Sequence, residues 1–174
     1  MRLLWLGLIA VRGFAQLSYG VRAGAPLTEG LQTLQGRFQN VPHHWVAGPT
    51  VEVRIPHKLG ITFDVLYSRL EYSGGASVTG GHWEFPATVR KRFGKRRAQP
   101  FVAAGASFNK ITGIATARSS VAGLVYGGGV EIKIPLVHFA PELRYTRRLG
   151  ENVSIANIIR SRQNQIAFLF GVTF

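Results

Sequence analysis

Large apolar side chains alternate with small, polar or charged ones along almost the whole chain, in runs of about ten to fourteen residues. Because successive side chains of a strand point to opposite faces, each run predicts a β-strand with one apolar face. Turn-forming residues separate the runs. The chain is therefore predicted to be all-β, with eight strands at 17–26, 46–56, 61–72, 81–93, 99–111, 121–134, 137–148 and 162–174.

The predicted connections alternate in length. Short turns are expected at 57–60, 94–98 and 135–136, and longer loops at 27–45, 73–80, 112–120 and 149–161. Short turns at one end and longer loops at the other are typical of an outer-membrane barrel with both termini in the periplasm. The predicted fold is an eight-stranded antiparallel transmembrane β-barrel, connected as an up-and-down meander.

The face opposite the apolar one distinguishes a membrane barrel from a soluble carrier. Five of the eight acidic residues lie on it, beside basic residues and seven glycines, Gly20, Gly24, Gly48, Gly105, Gly127, Gly129 and Gly171. A lipocalin-like carrier would place its apolar stripe inside and its charges outside. Charges beside glycines favour a narrow polar lumen, and the predicted lumenal charge network comprises Arg22, Glu52, Arg54, Asp64, Glu84, Arg90, Glu131, Lys133, Glu142 and Arg144.

Two aromatic residues of the fourth predicted strand test the length of the apolar face. Trp83 and Phe93 lie ten residues apart on that face. At about 3.3 Å per residue and a tilt of about 40°, they are separated by roughly 25 Å along the membrane normal. They are predicted to be membrane-interface aromatics; a pair of ordinary core aromatics is the alternative interpretation.

Composition excludes several classes. The net charge of +13 suggests an anionic partner, but the basic residues are spread along the chain and no helix presents them to a groove, so nucleic-acid binding is not expected. The absence of cysteine excludes disulfides and thiolate metal sites.

The first fifteen residues differ from the rest. Arg2 precedes an apolar run, and Gly13 and Ala15 have the spacing of a signal-peptidase site, although Arg12 interrupts it. Residues 1–15 are predicted to be a signal peptide and 16–174 the barrel domain; a first buried strand is the alternative for the same run.

The last predicted strand ends on an aromatic residue, and its apolar stripe consists of Ile166, Phe168, Phe170, Val172 and Phe174. Together with the segments 20–28, 48–52, 83–86, 100–105 and 141–146, this ending resembles the outer-membrane β-barrel domain family of the OmpA and OmpX type. The resemblance implies a monomer in the outer membrane of a Gram-negative-type bacterium, surrounded by outer-membrane lipid and lipopolysaccharide. It also implies that the terminal stripe is an assembly signal for the barrel assembly machinery.

Prolines complicate three predicted strands. Pro49, Pro86 and Pro141 each lack a backbone donor, so they are expected to mark bulges in the ladder.

No catalytic, cofactor or metal site is predicted. His43 and His44 are adjacent residues of a loop without acidic or cysteine partners, and they make a weak metal site. Ser68 and Ser107 share a face with carboxylates, but no histidine stands at a recognisable spacing from either serine.

The expected function is structural, or interaction at the cell surface through the long loops. Eight strands enclose a lumen just wide enough for side chains, so a general diffusion pore is not expected. The first loop, which carries Phe38 and Trp45, is the candidate contact surface. A lipid-modifying outer-membrane enzyme and a narrow small-solute channel are the alternatives.

Overall fold

The computed structural model describes residues 16–28, 31–33, 39–41, 45–74, 76–94, 96–112, 121–150, 154–155, 159–161 and 163–174. The predicted signal peptide, residues 1–15, lies outside them, as do His43, His44 and Phe38.

Eight long strands form the barrel. They are β1 (Gln16–Pro26), β2 (Val46–Ile55), β3 in two segments (Leu59–Asp64 and Leu66–Gly74), β4 (Ala76–Arg92), β5 (Ala98–Thr112), β6 (Val121–Ile134), β7 (Val137–Arg148) and β8 (Asn164–Thr173). Each pairs antiparallel with the next in the chain, and β1 also pairs with β8, which closes the ring. The predicted eight-stranded meander is confirmed. In the described part of the chain, no helix is long and apolar enough to span a bilayer.

The three prolines do not produce bulges. Register is constant on both sides of each one: Thr50 faces Asp64 and Ala47 faces Tyr67 around Pro49, for example. Register is also unchanged across Pro86 and Pro141, although the pairing with β3 is interrupted beside Pro86 and the pairing with β6 is interrupted beside Pro141. The bulge interpretation was therefore wrong. The missing donor at Pro49 breaks hydrogen bonding locally at Val65, whose own N–H still donates to the Pro49 carbonyl at 3.0 Å.

The predicted loop at 73–80 was also wrong. The small residues of this segment suggested a turn, but the antiparallel pairing of β3 with β4 continues through them. Ser73 lies opposite Ser77, and Gly74 lies opposite Ala76. As a result β4 has 17 residues, the greatest length among the strands. Residues 76–80 of β4 pair with β3, whereas the described pairing of β4 with β5 begins at Gly81.

Short strands occur within two of the long loops. Leu31–Thr33 of the first loop pairs with Ile159–Ser161 of the last, which also pairs with Ser154–Ile155. Gln39–Val41 pairs with the outer part of β3. The first and last long loops are thus joined by backbone hydrogen bonds at what we term the long-loop end of the barrel.

The opposite end, termed the short-turn end, carries the tight connections. The first turn is Pro56–Lys58, in which His57 and Lys58 have φ of 65° and 62°, and β3 begins directly after it. Residues 93–97 join β4 to β5, and the two-residue turn Pro135-Leu136 joins β6 to β7, as predicted.

The two faces of the barrel differ sharply. Large apolar side chains are exposed on the outer surface of every strand, among them Leu17, Val51, Phe63, Val89, Val102, Tyr126, Leu143 and Phe168. The buried set is instead dominated by polar and charged residues. A core of charges beneath an apolar exterior inverts the arrangement of a soluble barrel, and it is stable only when lipid covers the outside.

A closed ladder has no open edge at which detergent can begin to separate strands. We therefore expect unheated protein to migrate differently from boiled protein in SDS gels, with a β-type circular dichroism spectrum. Identical migration under both conditions, together with a helical spectrum, would contradict the barrel.

Candidate functional site

The ten charged residues predicted to share one face all project into the lumen. Eight are buried or nearly so, Glu84 is half-buried, and Lys133 near the end of β6 has a side chain that is 38% exposed. Strand alternation places them there, because every second residue of a barrel strand faces inward. They form three groups along the barrel axis.

The central group surrounds Asp64 of β3. Its carboxylate accepts hydrogen bonds from Arg22 Nη1 of β1 at 2.7 Å, from Arg144 Nη2 of β7 at 2.9 Å and from Thr50 Oγ1 of β2 at 2.6 Å. Since β3 and β7 lie four strands apart in a ring of eight, the contact between Asp64 and Arg144 crosses the full diameter of the lumen.

Glu142 of β7 holds the same group together from the other side. It accepts from Arg144 Nε at 2.9 Å and from Arg90 Nη2 of β4 at 2.8 Å, and it lies 3.4 Å from Arg22 Nη1. The Arg90 guanidinium also stacks on Phe101, with 4.0 Å between its Cζ and the ring centroid. Three arginines therefore converge on two buried carboxylates, and the ring of Phe101 stacks on one of the arginines, Arg90.

A second group lies toward the short-turn end. Arg92 of β4 donates from Nε to Glu131 at 2.6 Å and from Nη2 to Glu52. Arg54 of β2 approaches Glu131 of β6 at 3.5 Å, again between strands four apart in the ring. This end of the lumen is bridged by charges as well.

The third group lies toward the long-loop end and contains a half-buried histidine. His82 Nε2 lies 2.9 Å from Arg148 Nη2 and 3.1 Å from Asn109 Oδ1, while its Nδ1 lies 3.3 Å from Ser68 Oγ. Nearby, Thr146 Oγ1 donates to Glu84 at 3.3 Å. The sequence did not indicate that a histidine and Ser68 would meet.

The protonation of His82 bears on whether this group can act chemically. An arginine only donates, so the contact with Arg148 requires a lone pair on Nε2, whereas the contact with Asn109 Oδ1, an acceptor, requires a proton on the same nitrogen. A serine nucleophile needs a neighbouring nitrogen that accepts its proton. These two contacts call for opposite tautomers, so the 3.3 Å contact between His82 Nδ1 and Ser68 Oγ has no fixed direction.

Arg92, Arg148 and Phe101 are lumenal residues that the sequence interpretation missed. Arg92 and Arg148 stand at even positions of strands whose other inward residues are even, so alternation alone identifies them. Phe101 is 2% exposed, although an aromatic in a membrane barrel is expected to face outward. With these additions, five lumenal carboxylates face seven basic side chains among the described residues.

Two inward glycines make room for the network. A Cβ at Gly60 would lie 2.6 Å from Glu52 Oε1, and one at Gly127 would lie 2.7 Å from Glu142 Oε1. Any larger residue at either position would displace a paired carboxylate. In the part of the chain that the structure describes, no group of three His, Cys, Asp or Glu side chains could hold a metal ion.

Aromatic side chains collect on the outer surface at both ends. Trp83 packs against Tyr67, with ring centroids 4.9 Å apart, toward the long-loop end. Phe93 is exposed at the short-turn end, where Tyr19 and Phe174 also pack, with centroids 6.4 Å apart. This is the placement that interface aromatics require, and the interface role of Trp83 and Phe93 stays a prediction.

The terminal stripe lies on the outer surface of β8. Ile166, Phe168, Phe170 and Phe174 are exposed there, and Val172 is partly covered. The backbone N–H of Phe174 donates to the Tyr19 carbonyl at 2.9 Å, so the chain end is fixed against β1.

We expect Phe174→Asp to reduce the amount of folded barrel in cells severely while leaving refolding in detergent nearly normal. The side chain is exposed in the folded barrel, so its removal costs little once β8 has paired. Phe93→Asp is the matched control, since Phe93 is an exposed aromatic at the same end of the barrel. Equal cellular amounts of both folded variants would contradict a role in assembly.

Comparison with known proteins gives relatives by structure alone. No protein-family model matches the sequence, and no curated protein matches it significantly. Neisserial surface protein A has a TM-score of 0.56 and 17% identity, over 91% of this chain and 96% of its own. The outer membrane protein OprG of Pseudomonas aeruginosa gives 0.56 and 10% identity, over 92% and 95%. The N-terminal β-barrel domain of OprF from the same organism gives 0.51 and 14% identity, over 92% and 99%. At these identities the likeness is one of fold, and this chain has the closed eight-stranded β-barrel fold of these outer-membrane proteins.

Proposed function

We propose that the protein is a monomeric, non-conducting barrel whose role is structural or lies in contacts made by its long loops at the cell surface. The observation that carries this proposal is the row of ion pairs across the lumen. Asp64 with Arg144, and Arg54 with Glu131, join strands on opposite sides of the ring. A solute would have to separate buried ion pairs to pass.

The energetic cost of separating them argues against a channel. Breaking a buried ion pair costs about 3–5 kcal/mol when one partner is left uncompensated. Passage through the central group would disturb Asp64 and Glu142 together, because Arg22 and Arg144 contact both. A narrow solute channel, the alternative, would need these groups to rearrange in concert.

Conductance in planar bilayers tests the closed lumen. Wild-type protein with a verified heat-dependent gel shift is expected to give no discrete conductance steps. Frequent, uniform steps in the wild type would favour the channel. Since seven bases face five acids, such steps should then also be anion-selective.

The long-loop end supports the surface role. Backbone pairing between Leu31–Thr33 and Ile159–Ser161, and between Gln39–Val41 and β3, gives this end a hydrogen-bonded framework from which the loops extend. An epitope inserted within 34–38 should be labelled by antibody on intact cells. The same epitope between Pro135 and Leu136 should be labelled only after the outer membrane is permeabilised, and the reverse pattern would contradict the orientation.

Catalysis is not part of this proposal. Ser68 Oγ lies 3.3 Å from His82 Nδ1, and the other hydrogen-bond contacts of that histidine are to Asn109 and Arg148 rather than to an orienting carboxylate. A lipid-modifying enzyme remains the alternative, and turnover of labelled outer-membrane lipid by the purified barrel, lost in Ser68→Ala, would support it.

A further inference from the structure

The first two turns of the short-turn end are tied to each other by lysines. Lys58, in the turn between β2 and β3, donates from Nζ to the Gly94 carbonyl at 2.7 Å. Lys91, at the end of β4, donates from Nζ to the His57 carbonyl at 2.7 Å. Each turn thus supplies both a cation and an acceptor to the other, and the pair forms one connected surface.

That surface is basic, and its described residues include no compensating acid. Besides Lys58 and Lys91, it exposes Arg96 and Arg97, and the Arg97 carbonyl accepts from the Lys133 N–H at 2.8 Å, which fixes this turn against β6. The sequence has no Asp or Glu within 55–61, 91–98 or 134–138. The carboxylates nearest in sequence, Glu52 and Glu131, are buried in the lumen and paired with Arg92.

Apolar side chains flank the same cations. Phe93 is 48% exposed, and Leu136, held at φ of 76° at the tip of its turn, is 89% exposed. A soluble acidic partner would not require large apolar groups to stand in water beside the charges. A lipid surface does, because aromatic and aliphatic groups insert at the headgroup boundary while lysine and arginine contact the phosphates.

We propose that the short-turn end is a binding surface for anionic phospholipid headgroups of the leaflet it faces, with phosphatidylglycerol-type phosphates contacted by Lys58, Lys91, Arg96 and Arg97. The proposal rests on the membrane location and is independent of what the long loops bind. It also gives a role to four of the basic residues that lie outside the lumen.

Electron spin resonance of spin-labelled lipids tests it on the intact barrel. The protein is reconstituted in phosphatidylcholine with a small fraction of spin-labelled phosphatidylglycerol or phosphatidylcholine, and the motionally restricted fraction of each is measured. We expect the association constant for phosphatidylglycerol to exceed that for phosphatidylcholine about fivefold. This is the factor that one basic residue contributes to binding at an anionic surface. The preference should fall steeply as salt rises.

Matched variants locate the effect. Arg96→Gln with Arg97→Gln should abolish most of the preference, and Arg96→Lys with Arg97→Lys should retain it. Lys110→Gln with Arg147→Gln removes the same charge from exposed positions near the long-loop end and should leave it unchanged.

Several outcomes would overturn the inference. The first is that the wild type restricts both lipids equally. The second is that only the variant at Lys110 and Arg147 loses the preference. The third is that the variants differ only in their binding to isolated peptidoglycan and not in their lipid preference. Failure to show the heat-dependent gel shift would instead count against the membrane barrel itself, so the two claims are separable.

Discussion

Replacing Glu142 with alanine is expected to lower the free energy of unfolding by about 3–5 kcal/mol, because it leaves buried guanidinium groups without their counter-charge. Arg90 and Arg144 lie within 2.9 Å of this carboxylate, and both are almost wholly buried. The loss should appear as a lower urea midpoint for the barrel folded in lipid, monitored by the heat-dependent gel shift.

Two variants of the same region serve as controls. Glu142→Gln keeps hydrogen-bond acceptors for the arginines and should cost less than Glu142→Ala. Leu143→Val, one residue further along β7, removes one methylene from the exposed outer surface and should be nearly neutral. A fully stable Glu142→Ala would mean that the lumenal ion pairs are not coupled to folding.

Replacing Leu143 with arginine should destabilise the barrel by about 2–4 kcal/mol in bilayers, the cost of a charge on the lipid face near the midplane. Leu143 lies in the middle of β7, between Gly128 of β6 and Phe168 of β8, and its side chain is 53% exposed on the outer surface. Equilibrium unfolding in urea from lipid vesicles measures the effect.

Ile134→Arg is the matched control for that variant. Ile134 also faces outward, but it ends β6 beside the Pro135-Leu136 turn, where a charge reaches the interface. Its cost should be about 0–1 kcal/mol. A harmless Leu143→Arg, combined with a stabilising Glu142→Leu, would mean that the faces are inverted and that the molecule is a soluble carrier barrel.

Alternation was enough to predict the number of strands, their order and the face of each. It worked because each strand has one lipid face and one lumen face, so the period of two is read directly from the chain. It did not predict the extended hairpin around residue 75. Ser73 and Gly74 have turn propensity, and pairing with the opposite strand overrides that propensity.

The membership of the lumenal network was largely predictable, whereas its partners were not. Arg144 lies two residues from Glu142 on the same strand and contacts it. It also contacts Asp64, which is 80 residues away in sequence and on the far side of the ring. That choice depends on strand tilt and stagger, which set the height of each side chain in the barrel. The contact between Phe101 and Arg90 was not predictable for the same reason, since only the folded barrel places the ring of Phe101 against the Arg90 guanidinium.

The central claim is that lipid covers the face of each strand that carries apolar residues, and that charges and small residues fill the other. Alanines of β5 report on both faces without any substitution: Ala104 and Ala106 are exposed on the outside, whereas Ala103 is 5% exposed and faces the lumen. Nuclear Overhauser effects from alanine methyl groups to lipid acyl chains, measured in phospholipid nanodiscs, compare them directly. Contacts from Ala104 and Ala106, with none from Ala103, are the predicted result; acyl-chain contacts from Ala103 and none from its two neighbours would contradict it.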